Sequence, residues 1–128
     1  MVSDIDVLII FADSDNEGAK GLGWVTQFKK FLELMLTQVL GEKPNVMLKG
    51  EHDNMVSPTL DNAAVLITVL SKDFTASAHC LEHVDMFYKH AQTSSRNRVF
   101  KVLKTPLSQQ MQPARLRELL SYDLYQVD

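Results

Sequence analysis

The chain has 128 residues, 45% of them hydrophobic and 23% charged, so it can form one buried core but not two. A formal net charge of −3 leaves no basic surplus for phosphate backbones, and we expect no nucleic-acid partner. The single cysteine, Cys80, excludes an internal disulfide and favours a reducing, cytoplasmic location, while the longest apolar run, residues 63–70, is far too short to span a bilayer.

Apolar runs alternate with amphipathic segments along the chain. The pattern predicts, in chain order, a strand at 5–12, a loop at 13–23, a helix at 24–40, a strand at 45–48, a loop at 49–57, a short helix opened by Pro58, a strand at 63–71, a helix at 77–91, a strand at 98–103, a short helix at 114–120 and an edge strand at 122–127. Nearly continuous β-branched runs are typical of strands buried on both faces of a parallel sheet. We therefore expect one α/β domain, residues 1–128, with a parallel sheet of four to five strands.

Three local patterns could carry chemistry, and each has a simpler explanation. Residues 13–23 contain acids and glycines but match no phosphate-binding or calcium-binding template, which predicts a surface loop. His79 and His83 have the spacing of a metal-binding pair, with His90 near the same stripe, but nothing completes a metal site. Cys80 falls close to the apolar side of its helix, as a small buried thiol would. We predict no metal site.

Two further expectations concern the aromatic residues of the first helix and the loops in which a ligand would bind. Trp24, Phe28 and Phe31 have the spacing of core residues and need no ligand to explain them. Ligands of parallel sheets bind beyond the carboxyl ends of the strands, so chemistry is expected in the loops after Phe11, Leu48, Leu70 and Lys104.

Four segments, IDVLIIFADSD, GWVTQFKKFLELMLTQVLG, AAVLITVLSKDFTASAHCLE and RVFKVLKTP, together resemble a bacterial TIR (Toll/interleukin-1 receptor) domain over nearly the whole chain. The resemblance implies a flavodoxin-like three-layer α/β sandwich, with the last helix of the family missing from this chain. Some family members hydrolyse NAD+ or convert it to cyclic ADP-ribose products, often in antiphage defence. Others are scaffolds that recruit further TIR domains through loop and helix surfaces.

The enzymes of the family carry a glutamate in a pattern close to S-x-x-[YF]-x-x-S-x-W-C-x-x-E. The frame of that pattern is present here at Ser71, Phe74, Ser77 and Cys80. His79 occupies the tryptophan position and His83 the glutamate position, and Glu82 lies one residue early. Because a helix turns about 100° per residue, Glu82 is predicted to point away from the core and His83 to lie at the boundary between core and solvent.

The first function implied by the resemblance is a signalling module of the TIR type, weak or inactive as an enzyme and without a cofactor. It would act by self-association into a homo-oligomer or filament, or by docking to another TIR domain, in bacterial antiphage immunity. Its surfaces would be residues 49–58, which include Asp53, and an exposed helix face with His79, Glu82, His83, Met86 and His90. An exposed methionine beside histidines is compatible with an interface.

The alternative is an NAD+ glycohydrolase that takes NAD+ as its substrate. Glu82 would be its catalytic glutamate after a local shift of the helix, and His83 could contribute acid or base chemistry. The pocket would be shaped by Phe11, Asp13, Trp24 and Ser71. A catalytic carboxylate must be positioned to within about an ångström, which weighs against this alternative. A third possibility is a domain that binds a nucleotide without hydrolysing it.

Overall fold

A five-stranded parallel sheet lies at the centre of the computed structural model, which describes residues 5–17, 23–50, 63–91, 99–112, 116 and 121–123. The strands are β1 (Ile5–Phe11), β2 (Val46–Gly50), β3 (Ala63–Leu70), β4 (Val99–Leu103) and β5 (Ser121–Asp123). Their order is β2-β1-β3-β4-β5, and each neighbouring pair is parallel. This is the flavodoxin-like strand order, so the predicted fold class is confirmed.

The helices cover the two faces of this sheet. They are α1 (Trp24–Leu40), α2 (Lys72–Ala76) and α3 (Ala78–Ala91), with short 3-10 helices at Asp13–Asn16 and Gln109–Met111. The predicted bounds of α1 are confirmed, and its end follows from Gly41, which has a φ of 80° and donates its N–H to the Thr37 carbonyl. The prediction of a plain loop at 13–23 is wrong in its first part, which is helical and buries Asp15.

The remaining predicted elements differ in detail from the structure. The second strand continues to Gly50, and the short helix α2, which the sequence pattern did not separate, precedes α3. The predicted helices after Pro58 and at 114–120 fall on residues outside the described ones, apart from the buried Leu116. The expectation about the last helix of the family is not tested by the described residues. Among the described helices, none combines the length and the apolar character that crossing a bilayer requires.

The core has two layers because successive strand residues point to opposite faces of the sheet. Towards α2 and α3, the buried cluster is Leu8, Ile10, Ala12, Leu66, Leu70, Phe74, Cys80, Val84, Phe87, Val99, Leu103 and Leu116. Towards α1, it is Val7, Ile9, Phe11, Val25, Val46, Ile67, Val69 and Val102. Both layers extend to the carboxyl ends of the strands, where Phe11, Leu70 and Leu103 are the last strand residues.

Helix α1 buries less of its apolar surface than the sequence predicts. Val25 is its fully buried residue, and Trp24 and Phe28 are partly buried against the α1 layer of the core. Phe31 is 60% exposed, so the prediction that all three aromatic residues are core residues is wrong for Phe31. The helix carries a second apolar side that periodicity alone does not separate from the sheet-facing one.

Candidate functional site

Asp15 joins the carboxyl ends of three strands. It lies in the 3-10 turn that follows β1, and only 5% of its surface is exposed. The Ser71 hydroxyl, just after β3, donates a hydrogen bond to its Oδ2, and Lys104 Nζ, just after β4, lies 3.0 Å from its Oδ1. These three residues, the Asp15 cluster, use both oxygens of a buried carboxylate and tie β1, β3 and β4 together at one edge.

Trp24 lies next to the Asp15 cluster. Lys104 Nζ is 6.0 Å from the centroid of its ring, within the range of a cation–π contact. Trp24 also stacks on Phe28, with 5.5 Å between ring centroids and 19° between the ring planes. The cation of Lys104 is therefore held between a carboxylate and an aromatic face, and Trp24 shields one side of the cluster.

The four residues predicted to shape a pocket do not form one group. Ser71 is linked to Lys104 through Asp15, and Trp24 lies under the Lys104 ammonium, on the β4 side of the edge. Asp13 is exposed and lies over the end of β2, where a Cβ on Gly50 would come within 2.5 Å of its Oδ1 and 3.5 Å of the Phe11 ring. Phe11 is buried in the α1 layer of the core.

The central acid of this edge, Asp15, was missed in favour of Asp13. The signal in the sequence is weak, because the segment DSD offers two acids with equal claims. Which of the two acids is buried depends on the tight turn after β1. In this turn the Asp15 N–H donates to the Ala12 carbonyl at 2.9 Å. That turn directs Asp15 across the ends of the strands and leaves Asp13 exposed.

The frame residues that carry the family resemblance hold the corner between β3, α2 and α3. Ser71 Oγ accepts a hydrogen bond from the Phe74 N–H at 3.1 Å, and Ser77 Oγ accepts one from the Cys80 N–H at 3.2 Å. Each bond links a residue to the third one after it, which is the geometry of a helix N-cap. Phe74 and Cys80 are fully buried. The frame therefore has a structural explanation that requires no ligand.

The two candidates for the catalytic position, Glu82 and His83, lie in opposite environments. Glu82 is exposed, as predicted from its place on the helix. His83 is fully buried, so the prediction that it lies at the boundary between core and solvent is wrong. The buried stripe of α3 is Cys80, His83, Val84 and Phe87, and Leu81, which helped to define the predicted core direction, is only partly buried. The true core direction is rotated towards His83.

The predicted interface residues differ in how far they are exposed to solvent. His79 is exposed, whereas Met86 is partly buried and packs against the core, so the expectation of an exposed Met86 is wrong. The His90 side chain and Asp53 lie outside the described residues. His79 and His83 occupy different environments, one exposed and one buried, and within the described ranges no group of three histidine, cysteine or acidic residues could hold a metal ion.

Comparison with known proteins supports the fold. No protein-family model and no curated protein matches the chain. Among solved structures, it is similar to the TIR domain of the Toll-related receptor TRR-2 from Hydra magnipapillata, with a TM-score of 0.60 and 20% sequence identity. The similarity covers 94% of this chain and 84% of that one. The chain therefore has the fold of a TIR domain.

Proposed function

We propose that this chain is an assembly module of the TIR type, which acts by associating with itself or with another TIR domain. The observation that carries the proposal is where the structure places Glu82 and His83, the two candidates for the catalytic position. Glu82 is exposed, and the position that the family frame assigns to the glutamate holds the fully buried His83. An exposed carboxylate is less able to stabilise a developing positive charge than one held rigidly in a site that excludes water.

The Asp15 cluster supports the same proposal. Both oxygens of Asp15 are engaged, and Ser71 uses its one hydroxyl both as a donor to Asp15 and as the cap of α2. A ligand that bound Ser71 or Asp15 would have to break these buried hydrogen bonds, and each group left without a partner costs about 1–3 kcal/mol. The polar groups of this edge are thus suited to holding strand ends together.

The proposal includes a role in signal transduction. The solved TIR domain that this chain resembles belongs to a Toll-related receptor. A role in signal transduction through contacts between TIR domains fits that likeness, and cytoplasmic bacterial antiphage immunity fits the sequence resemblance. NAD+ would be a substrate only in the alternative function, with Glu82 as its catalytic residue.

The test is to follow nicotinamide release from NAD+ by the purified chain at concentrations where it self-associates. Glu82→Gln removes the charge of the exposed carboxylate, and Glu17→Gln is the matched control at another exposed glutamate. We expect no nicotinamide release above that of NAD+ alone from the native chain or from either variant. Turnover that Glu82→Gln abolishes and Glu17→Gln preserves would contradict the proposal.

A further inference from the structure

Helix α3 buries an ionisable side chain in the middle of its core-facing stripe. His83 is 0% exposed, and Cys80, Val84 and Phe87 of the same stripe are buried with it. These three neighbours pack on residues of β1 and β3 in one layer of the core. A free imidazole titrates at about pH 6.5, within the physiological range, so the charge state of His83 matters for the packing of α3.

The surroundings of α3 favour the neutral form of His83. Transfer of a charged group from water to an apolar interior is costly, and a buried histidine therefore resists protonation. The central strand residues that face α3 are apolar apart from one buried threonine: Leu8, Ile10, Leu66, Thr68 and Leu70. A charged ring in this layer would lose most of the hydration that it has in the open chain.

The buried charged residues of the strands on this face are bases. Side chains alternate along a strand, and Leu48 and Val102 belong to the layer of α1. Lys49 of β2 and Lys101 of β4 therefore face the layer of α3, where both are buried. An imidazolium at His83 would bring a further positive charge into a layer with two buried lysines, and groups of like charge disfavour each other.

The acids of the elements around α3 are exposed or engaged elsewhere. Glu82 and Asp85 of α3 are exposed, as are Asp73 of α2 and Asp6 at the amino end of β1. Asp15 is the one buried acid among the described residues, and the Asp15 cluster holds it at the edge of the sheet. Burial thus acts on His83 in a layer to which the described residues add no buried acid.

We propose that His83 is a pH-sensitive latch of α3, neutral while the helix is packed on the sheet and charged once the helix opens. Because the open form then binds a proton that the packed form does not, a fall in pH shifts the equilibrium towards opening. The packed state has its full stability above about pH 6.5 and loses it progressively as the pH falls below that value. Protonation of buried histidines drives such rearrangements in other proteins.

Labelling of Cys80 measures this opening directly. Cys80 is the single cysteine of the chain, it is buried, and it lies three residues before His83 on the same stripe. The reagent is dithiodipyridine, which reacts with thiols in acid as well as at neutral pH, and each rate is divided by the rate of the urea-unfolded chain at the same pH. We expect this relative rate to rise about tenfold per pH unit below about pH 6.

His83→Gln removes the titrating group and keeps a neutral polar side chain. His79→Gln is the matched control, because His79 is exposed on the same helix. The relative labelling rate of Cys80 should be nearly independent of pH in His83→Gln and should follow the native chain in His79→Gln. A rise in acid that is as steep in His83→Gln as in the native chain would overturn the latch.

A titration of the native chain decides the matter even where His83→Gln does not fold. Nuclear magnetic resonance follows the rings of the four histidines, and we expect the His83 ring to stay neutral at every pH at which Cys80 is protected. A His83 ring that is charged at about pH 7.5 while Cys80 is protected would overturn the proposal, since it would require an acidic partner for the ring.

The latch is independent of the proposed function. NAD+ turnover would contradict the assembly module and leave the latch in place. A relative labelling rate of Cys80 that does not change between about pH 7.5 and about pH 5 would overturn the latch and leave the assembly module in place.

Discussion

Asp15 has both carboxylate oxygens engaged within the protein, one by the Ser71 hydroxyl and one by the Lys104 ammonium. The ammonium also lies over the Trp24 ring and retains some contact with solvent. Such an arrangement fixes the relative positions of three strand ends. These polar groups lie at the edge where ligands usually bind to this fold, and in this structure they bond to each other.

Asp15→Asn should destabilise the fold, because the amide cannot satisfy both Ser71 and Lys104. We expect a loss of about 1–3 kcal/mol in the free energy of unfolding, measured by urea denaturation. The loss stays moderate because Lys104 can reach solvent. Glu17→Gln, at an exposed position two residues away, should change stability little, and equal effects of the two substitutions would show that the Asp15 cluster contributes nothing.

His83→Glu places a glutamate where the family frame has one. Because His83 is fully buried, we expect a loss of several kcal/mol, as for a buried acid without a matched partner, and no NAD+ hydrolysis. His79→Glu, at an exposed position of the same helix, is the control and should stay within about 0.5 kcal/mol of the native chain. A stable His83→Glu variant that hydrolyses NAD+ would mean that this position faces a usable pocket.

At the scale of single elements, the N-terminus of α1 is capped by Asn16, a residue of the preceding turn. Its first flanking residue, Gly23, offers no side chain, and Asn16 takes over the role of a cap from the preceding turn. Asn16 Oδ1 accepts a hydrogen bond from the Thr26 N–H at 2.7 Å, and Asn16 Nδ2 donates to Thr26 Oγ1 at 2.9 Å. A Cβ on Gly23 would overlap the Asn16 carbonyl, so this close approach requires glycine.

Asn16→Ala removes this cap and should lower stability by about 1 kcal/mol, the usual cost of a lost N-cap. Asn16→Asp keeps the acceptor and adds a negative charge near the N-terminus of the helix, where it is favourable. Thermal unfolding should therefore rank the aspartate variant close to the native chain and the alanine variant below both. Two variants of equal stability would show that Asn16 does not cap α1.

The sequence predicts the strands and the length of α1 well, and it predicts side-chain directions less well. Long apolar runs such as β3 and the glycine after Leu40 are local signals. The side that a helix buries depends on partners distant in the chain. Two apolar stripes on α1 look like one wide stripe, which is why Phe31 was assigned to the core. His83 was misplaced because a polar residue type does not indicate burial.

At the scale of the whole molecule, the polar groups of the described residues bond to each other at the carboxyl edge of the sheet, and several apolar side chains of α1 face solvent. The carboxyl edge of the sheet is satisfied from within by the Asp15 cluster, and the frame serines cap helices. Among the described residues, the exposed large apolar side chains include Phe31, Leu34 and Met35 of α1. These features support the proposal that the chain acts by binding other protein surfaces.

Sedimentation equilibrium of the native chain over a wide range of concentration tests this account most directly. The monomer has a mass of 14.5 kDa. The account predicts an average mass that rises with concentration towards that of the dimer and higher assemblies. A mass that stays at the monomer value at every concentration would contradict the proposed self-association.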